Sequence, residues 1–200
     1  MLRLGFLASH GGTSMRAIVQ AIEAGDLPAW PGVAISNNAD APALDFAREH
    51  GVPRLHISSA TGGSDEAADA AIRAALADAG ADVVVLSGYL RMVGPLTLER
   101  FRGRILNVHP ALLPKYGGKG MYGRFVHEAV IAAGDTLSGA SVHVVDEVYD
   151  HGPVISQKTV PVYPGDTAET LAARVVAIEG PLFVETLRAI AARGGVVLPT

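Results

Sequence analysis

A chain of 200 residues, 49% hydrophobic and 18% charged, has enough apolar side chains for a full core and too few charges for a disordered segment. A net charge of −4 without a basic run argues against a nucleic-acid surface, and no apolar stretch approaches the length of a membrane span. The chain has no cysteine, which excludes a disulfide framework and a thiolate metal site. Met1 to Ala8 is apolar but too short for a signal peptide, so the expectation is a soluble cytoplasmic protein.

Leu2 to Ala8 reads as a buried first strand. Ser9-His10-Gly11-Gly12-Thr13-Ser14 is a loop of small residues, and Met15, Ile18, Val19 and Ile22 follow at helical spacing. Strand, small-residue loop and helix start together expose backbone N–H groups at the positive helix end, a place for an anion such as phosphate. A plain turn capped by Thr13 or Ser14 fits the same residues. Gly32 to Ser36 is a second strand, Pro42 to Glu49 a short helix and Arg54 to Ile57 a third strand. Thr61 to Ser64 reads as a loop, and Asp65-Glu66 open a helix that runs to about Ala79. Asp82 to Leu86 is a continuous apolar run, as expected for a strand covered on both faces.

Strand alternating with helix predicts an α/β fold, a single domain over 1–200 with a doubly wound, mostly parallel sheet. Such sheets bind ligands at the carboxyl ends of their strands, where Ser9, Ser87 and His109 fall. Leu90, Arg91, Met92 and Val93 follow the apolar strand and either line a slot for a flat ring or cover the sheet as core. After a short helix near Leu96 to Phe101 comes the strand Ile105 to His109, stopped by Pro110. Lys115 to Gly123, with four glycines and two lysines, reads as a mobile segment, either a lid or a surface loop. A helix over Arg124 to Ala133 precedes two strands, Gly139 to Val145 and Val154 to Val162, which read as an antiparallel extension of the sheet. Between them lies the acidic turn Asp146 to Pro153. Asp166 and Glu169 have capping-box spacing ahead of a final helix that runs to about Arg193, with a kink expected at Pro181.

Asn107 and His109 are two apart, so on a strand they share a face. An amide and an imidazole at a strand end can hold an oxygen gaining negative charge, and a carboxylate from the acidic turn beside that imidazole would favour its charged form. As an alternative, Asn and His before Pro are ordinary turn residues. There is no cysteine nucleophile, no G-x-S-x-G elbow and no H-E-x-x-H pattern, so no metal is expected. His143 reads as a hydrogen-bonded strand residue. The chemistry that remains is direct acyl transfer, with the nucleophile supplied by a substrate.

Asn107-Val108-His109-Pro110-Ala111-Leu112-Leu113-Pro114, then Ser141-Val142-His143 and Asp150-His151-Gly152-Pro153-Val154-Ile155, resemble the folate-dependent formyltransferase family. Ser36 to Ala41, Gly88 to Met92, and Ala173 to Val175 with Glu179 extend the resemblance over nearly the whole chain. The short length points to the purine branch. The resemblance implies formyl transfer from 10-formyltetrahydrofolate to the amine of glycinamide ribonucleotide in de novo purine synthesis. It implies Asn107, His109 and Asp150 as catalytic residues. Gly12, Thr13, Ser14 and Met15 would hold the ribose phosphate, and Val176, Ala177, Ile178 and Glu179 would lie near the ribose. Leu90 to Val93, Asn107, and the turn Asp146, Glu147, Val148, Tyr149 and Asp150 would form the folate pocket. Partners are then small molecules, with neither nucleic acid nor membrane, and the assembly a monomer or homodimer. The first loop departs from the family's usual Gly-Asn-Gly-Ser-Asn-Leu, and no arginine stands near Ser64-Asp65 for the folate tail. A formyl-folate hydrolase, an amino-sugar formyltransferase and a non-catalytic binding protein are the alternatives.

Overall fold

Seven strands form one sheet in the order β3-β2-β1-β4-β5-β6-β7. The computed structural model describes residues 1–195 and 197. The strands are β1 (Leu2–Ala8), β2 (Ala29–Ser36), β3 (Arg54–His56), β4 (Val83–Leu86), β5 (Ile105–His109), β6 (Leu137–Val144) and β7 (Val154–Pro161). The pairs from β3 to β5 are parallel, and β5–β6 and β6–β7 are antiparallel. The expected α/β fold, a mostly parallel sheet with an antiparallel C-terminal extension, is the observed one. The strand order reverses between β1 and β4, the switch point where open parallel sheets leave a crevice.

The helices are α1 (Thr13–Glu23), α2 (Pro42–Glu49), α3 (Ser59–Gly62), α4 (Asp65–Asp78), α5 (Pro95–Arg100), α6 (Arg124–Ala132) and α7 (Ala168–Ala192). One core layer packs Phe6, Leu106 and Val142 of the sheet against Ile18 of α1, Val130 of α6 and Phe183 of α7. The other packs Leu7, Val84 and Ile105 against Ile72 and Leu76 of α4 and Phe101, which caps the end of α5. Alternation along each strand feeds both layers, which is why Val83–Leu86 is buried at every residue. Burying a side chain such as Leu106 or Phe101 contributes roughly 1.5–3 kcal/mol each.

Four details differ from the sequence reading. β2 begins at Ala29, and Pro31, which has no N–H for the ladder, sits where the register with β1 shifts. Ser59–Gly62 forms a short helix because Ser58 and Thr61 cap one another reciprocally. The cap of α7 is Thr167 with Thr170, not Asp166 with Glu169. Asp166 instead accepts two bonds from Arg174 at 2.8 and 2.9 Å, and its carboxyl is held well below the usual carboxylate range by that guanidinium and by the Tyr163 N–H. Neither Thr13 nor Ser14 caps α1: Gly12 is the cap residue, in a left-handed conformation with φ of 64°. A side chain there would be strained and would also meet the Ala43 methyl at 3.0 Å.

Candidate active site

The antiparallel turn of the sheet at β5 and β6 brings the polar residues together. Ile105, Asn107 and His109 project toward the α4–α5 layer, while Leu106 and Val108 face α1 and α7. The register sets His143 opposite Asn107 and Ser141 opposite His109. Ser141 donates its hydroxyl to the Ala111 carbonyl at 2.6 Å and receives the Leu113 N–H at 3.0 Å. Those bonds fix the chain beyond Pro110 to the neighbouring strand.

His143 settles the orientation of Asn107. Its Nδ1 lies 3.0 Å from the Val144 carbonyl, which can only accept, so Nδ1 carries the proton. Nε2 is then the acceptor for the Asn107 amide nitrogen at 3.2 Å. Burial pushes the His143 pKa down, against smaller opposing effects of the Val144 carbonyl and Asp150. A neutral ring is the form this geometry needs. One Asn107 amide hydrogen is thereby used, and the other remains for a ligand. The reading of His143 as a bonded strand residue holds. Its role in aiming Asn107 needed the cross-strand register, which the sequence does not print.

His109 is 3% exposed, and its two nitrogens face different partners. Nε2 donates to the Tyr116 carbonyl at 2.7 Å. Nδ1 lies 3.4 Å from Asp150 Oδ2, within ion-pair reach and longer than a tight hydrogen bond. Asp150 also accepts the Gly118 N–H at 3.0 Å, and its Oδ1 is 3.6 Å from His143 Nε2. Asp150 turns inward through a left-handed backbone with φ of 55°. The structure thus brings Asn107, His109 and Asp150 into one corner, with Nδ1 of His109 facing the carboxylate. Residues 115–118 are not loose as expected. Lys115 and Tyr116 both bond Asp135, at 2.7 and 2.8 Å, and Gly117 lies so close to Leu113 and Asp150 that an added Cβ would meet them at 2.5 and 3.2 Å.

The segments expected around a folate flank this corner. Val93 is buried core, whereas Leu90 and Met92 are exposed, so the apolar stretch divides between the two readings. Val148 and Tyr149 are exposed on the opposing turn, which Asp146 stiffens by accepting the Val148 N–H at 2.8 Å. Tyr89 and Val145, at the roots of the two segments, pack on the same core layer. Arg91 is exposed, and Glu147 reaches Arg102 at 3.6 Å. Leu90, Met92, Val148 and Tyr149 offer the apolar faces that a flat ring requires.

The residues expected around the second substrate lie on the other side of β5. At the start of α1, the Thr13 and Ser14 amides have no helical acceptor, as at any helix start. The Met15 amide donates to Ser87 Oγ at 2.9 Å, and the Met15 side chain is fully buried, so Met15 serves the core rather than a ligand. Ile178 packs on the core, while Val176 and Glu179 line a cleft between α6 and α7 that reaches Pro110. Burial pushes the Glu179 carboxyl up to about 7. His127 lines the same cleft and carried no signal in the sequence beyond being a histidine on an apolar helix face. Another cleft, of about 470 Å³, lies at the ends of β1 to β3 among His10, Asn37 and His56. Its floor is self-satisfied, with the Ser9 hydroxyl donating to Asn37 at 2.6 Å. Among the described residues, no group of three or more His, Cys, Asp or Glu side chains is placed to hold a metal. No helix among them is long and apolar enough to cross a membrane.

Residues 2–187 match the formyl transferase family. A phosphoribosylglycinamide formyltransferase of Mycobacterium tuberculosis is 41% identical over 196 residues, covering 98% of this chain and 88% of that protein. A chloroplastic phosphoribosylglycinamide formyltransferase of Vigna unguiculata is 38% identical over 94% of this chain, which spans only 60% of that relative's length. Among solved structures, glycinamide ribonucleotide transformylase 1 from Symbiobacterium toebii superposes with a TM-score of 0.88 at 39% identity, over 97% of this chain and 89% of that one.

Proposed function

This chain belongs to the formyl transferase family, and from that premise we propose that it transfers the formyl group of 10-formyltetrahydrofolate to the amine of glycinamide ribonucleotide, a step of purine synthesis. The observation that carries the reading is the corner at β5. An aimed amide, Asn107, stands beside an imidazole whose Nε2 is committed to a carbonyl and whose Nδ1 faces a carboxylate.

The reaction follows from those atoms. The substrate amine attacks the formyl carbon, and the carbonyl electron pair moves onto oxygen. The free Asn107 N–H donates to that oxyanion, and so does His109 Nδ1 when it carries a proton. Each such donor is worth roughly 2.7–4 kcal/mol of barrier. The amine gives its proton to the Asp150 carboxylate, which faces His109 Nδ1. The bond from the formyl carbon to N10 of the folate breaks, and N10 takes up a proton. The products are the formylated ribonucleotide and tetrahydrofolate, and no metal enters the sequence. An α-amino type amine has a pKa of about 7.7–8.0, so a useful fraction is neutral and nucleophilic near pH 7.

Each substrate has a side. Leu90 to Val93 and Asp146 to Asp150 receive the folate. The Gly12 to Ser14 amides receive the phosphate, with the positive end of α1 behind them. Val176 to Glu179 adjoin the ribose, with Ala177 exposed at that surface. Holding both substrates in line supplies roughly 7–11 kcal/mol of the barrier reduction. In this reading the chain works as one catalytic domain in the cytoplasm, a monomer or homodimer acting on small molecules, with neither nucleic acid nor membrane as partner.

The test is tetrahydrofolate formation by the purified protein with 10-formyltetrahydrofolate and each candidate acceptor. Turnover that requires glycinamide ribonucleotide supports the reading. Formate release without any amine makes the protein a hydrolase, and formylation of an amino sugar in preference moves it to another branch of the family.

A further inference from the structure

The cleft between α6 and α7 encloses about 280 Å³ and opens beside Pro110, one residue from His109. Ala168, Ala172 and Val176 make its α7 wall largely apolar. His127 interrupts that lining from α6, and nothing in the formyl-transfer chemistry above uses it.

The residue is 3% exposed, and its Nδ1 is enclosed without a hydrogen-bond partner. Of the two neutral tautomers, one buries an orphan N–H and the other an orphan acceptor. The orphan N–H is the costlier, so the proton belongs on Nε2, the nitrogen not enclosed. Burial and the nearby His109 both push the His127 pKa down, which keeps the ring neutral. The charges at the mouth are otherwise engaged: Arg124 pairs with Glu128 and, at 2.8 Å, with Glu169. Of the two carboxyls lining the cleft, Glu169 is the one paired with Arg124, and burial alone acts on Glu179.

A neutral N–H donor and a carboxyl thus face one small space from two helices. That pair suits hydroxyl groups and not a phosphate, which the carboxyl would repel. The position agrees: the reacting corner lies at one end, beyond Pro110, and α7 packs against α1, whose start offers the anion site. A sugar ring joins those two ends in a ribonucleotide. We propose that His127 is an acceptor-positioning residue, whose Nε2–H holds a ribose hydroxyl across the cleft from Glu179. This rests on the reading of the chain as a ribonucleotide formyltransferase.

The test compares wild type with His127→Phe and His127→Gln, using glycinamide ribonucleotide and its 2′-deoxy and 3′-deoxy forms. His127→Phe is expected to raise the acceptor KM about tenfold, with kcat and the folate KM within about twofold. His127→Gln, which restores an N–H, recovers most of the loss. One deoxy acceptor should cost the wild type a similar factor and cost His127→Phe nothing more. An unchanged acceptor KM, or equal losses in wild type and variant on both deoxy acceptors, overturns the proposal. If His127→Phe does not fold, the unaltered protein still decides. The ¹⁵N resonance of His127 Nε2 should move on adding glycinamide ribonucleotide and less with one deoxy form, and no movement with any of the three refutes the contact. A wild type that never formylates glycinamide ribonucleotide fails the functional reading itself, which is a separate outcome.

Discussion

The two sides of Pro110 are built on different terms. At the Asn107 corner the polar groups are held by fixed partners: Asn107 by His143, His109 by the Tyr116 carbonyl, and Asp150 by the Gly118 amide. In the α6–α7 cleft, His127 Nδ1 has no partner, and burial alone raises the Glu179 carboxyl. The corner is set before any substrate arrives, as charge stabilisation in a transition state requires. The cleft keeps an open imidazole nitrogen, Nε2, and a buried carboxyl, which a ligand would partner. Substitutions in the corner should therefore act on kcat, and substitutions in the cleft on acceptor KM and on stability.

The largest break should come from His109→Ala. In the proposed reaction it removes one oxyanion donor and the partner of Asp150, so kcat is expected to fall by about 10³-fold or more while both KM values stay within a few-fold. Asn107→Ala should cost about 10²–10³ in kcat. His143→Phe, which leaves Asn107 present but unaimed, should cost less, about tenfold. In the double variant the two losses should not add, because His143 acts through Asn107. Steady-state kinetics on the four proteins checks this, and full additivity would mean that His143 acts on something other than the amide.

Glu179 sharpens the other side. Its folded pKa is about 7, above the ordinary carboxyl value of 4.5. Between those values the unfolded chain has lost its proton while the folded one keeps it, so stability falls as pH rises from about 4.5 to 7 and the loss then levels off. Glu179→Gln should remove that slope. It should leave stability unchanged near pH 4 and raise it near pH 8 by on the order of 2 kcal/mol. Denaturant unfolding at the two pH values measures the difference. The same variant should raise the acceptor KM, the cost expected when a ligand-binding group is exchanged for a stabilising one.

The contrast also explains what could be read from the sequence. The strand alternation carried the sheet, and Asn107 and His109 two apart on a strand before Pro110 carried the corner. The Asp150 approach followed from resemblance to a known motif and not from spacing, because a carboxylate 41 positions away reaches His109 only through the β6–β7 return and a left-handed turn. His143 was legible as a strand residue but not as the partner of Asn107, since antiparallel register is a property of the paired strands. His127 was not legible at all. Its significance is an absence, an imidazole nitrogen enclosed with no acceptor or donor, and only packed neighbours can create that. The Asp166–Glu169 spacing misled for a related reason: Arg174, two turns along α7, competes for Asp166 and leaves the cap to Thr167.

Gly117→Ala gives the smallest expected effect and the most specific. Gly117 has an ordinary φ, so the substitution introduces no left-handed strain. Its added methyl would come within 2.5 Å of the end of Leu113, a flexible contact that can give, and within 3.2 Å of the Asp150 Cβ, which is less free to move. Asp150 sits on a backbone with positive φ and is held by the Gly118 amide, so a displacement of a few tenths of an ångström lengthens the 3.4 Å separation from His109 Nδ1 before it breaks anything else. The expected result is a kcat lower by about threefold, acceptor and folate KM values near wild type, and stability changed by less than about 1 kcal/mol. In the proposed reaction Asp150 takes the amine's proton, so the loss should shrink when the solvent is changed from H₂O to D₂O if methyl crowding slows a step other than proton movement, and grow or hold if it slows that movement. A Gly117→Ala protein with wild-type kcat would mean that the loop over Asp150 is looser than its packing implies, and that the corner is completed only on binding.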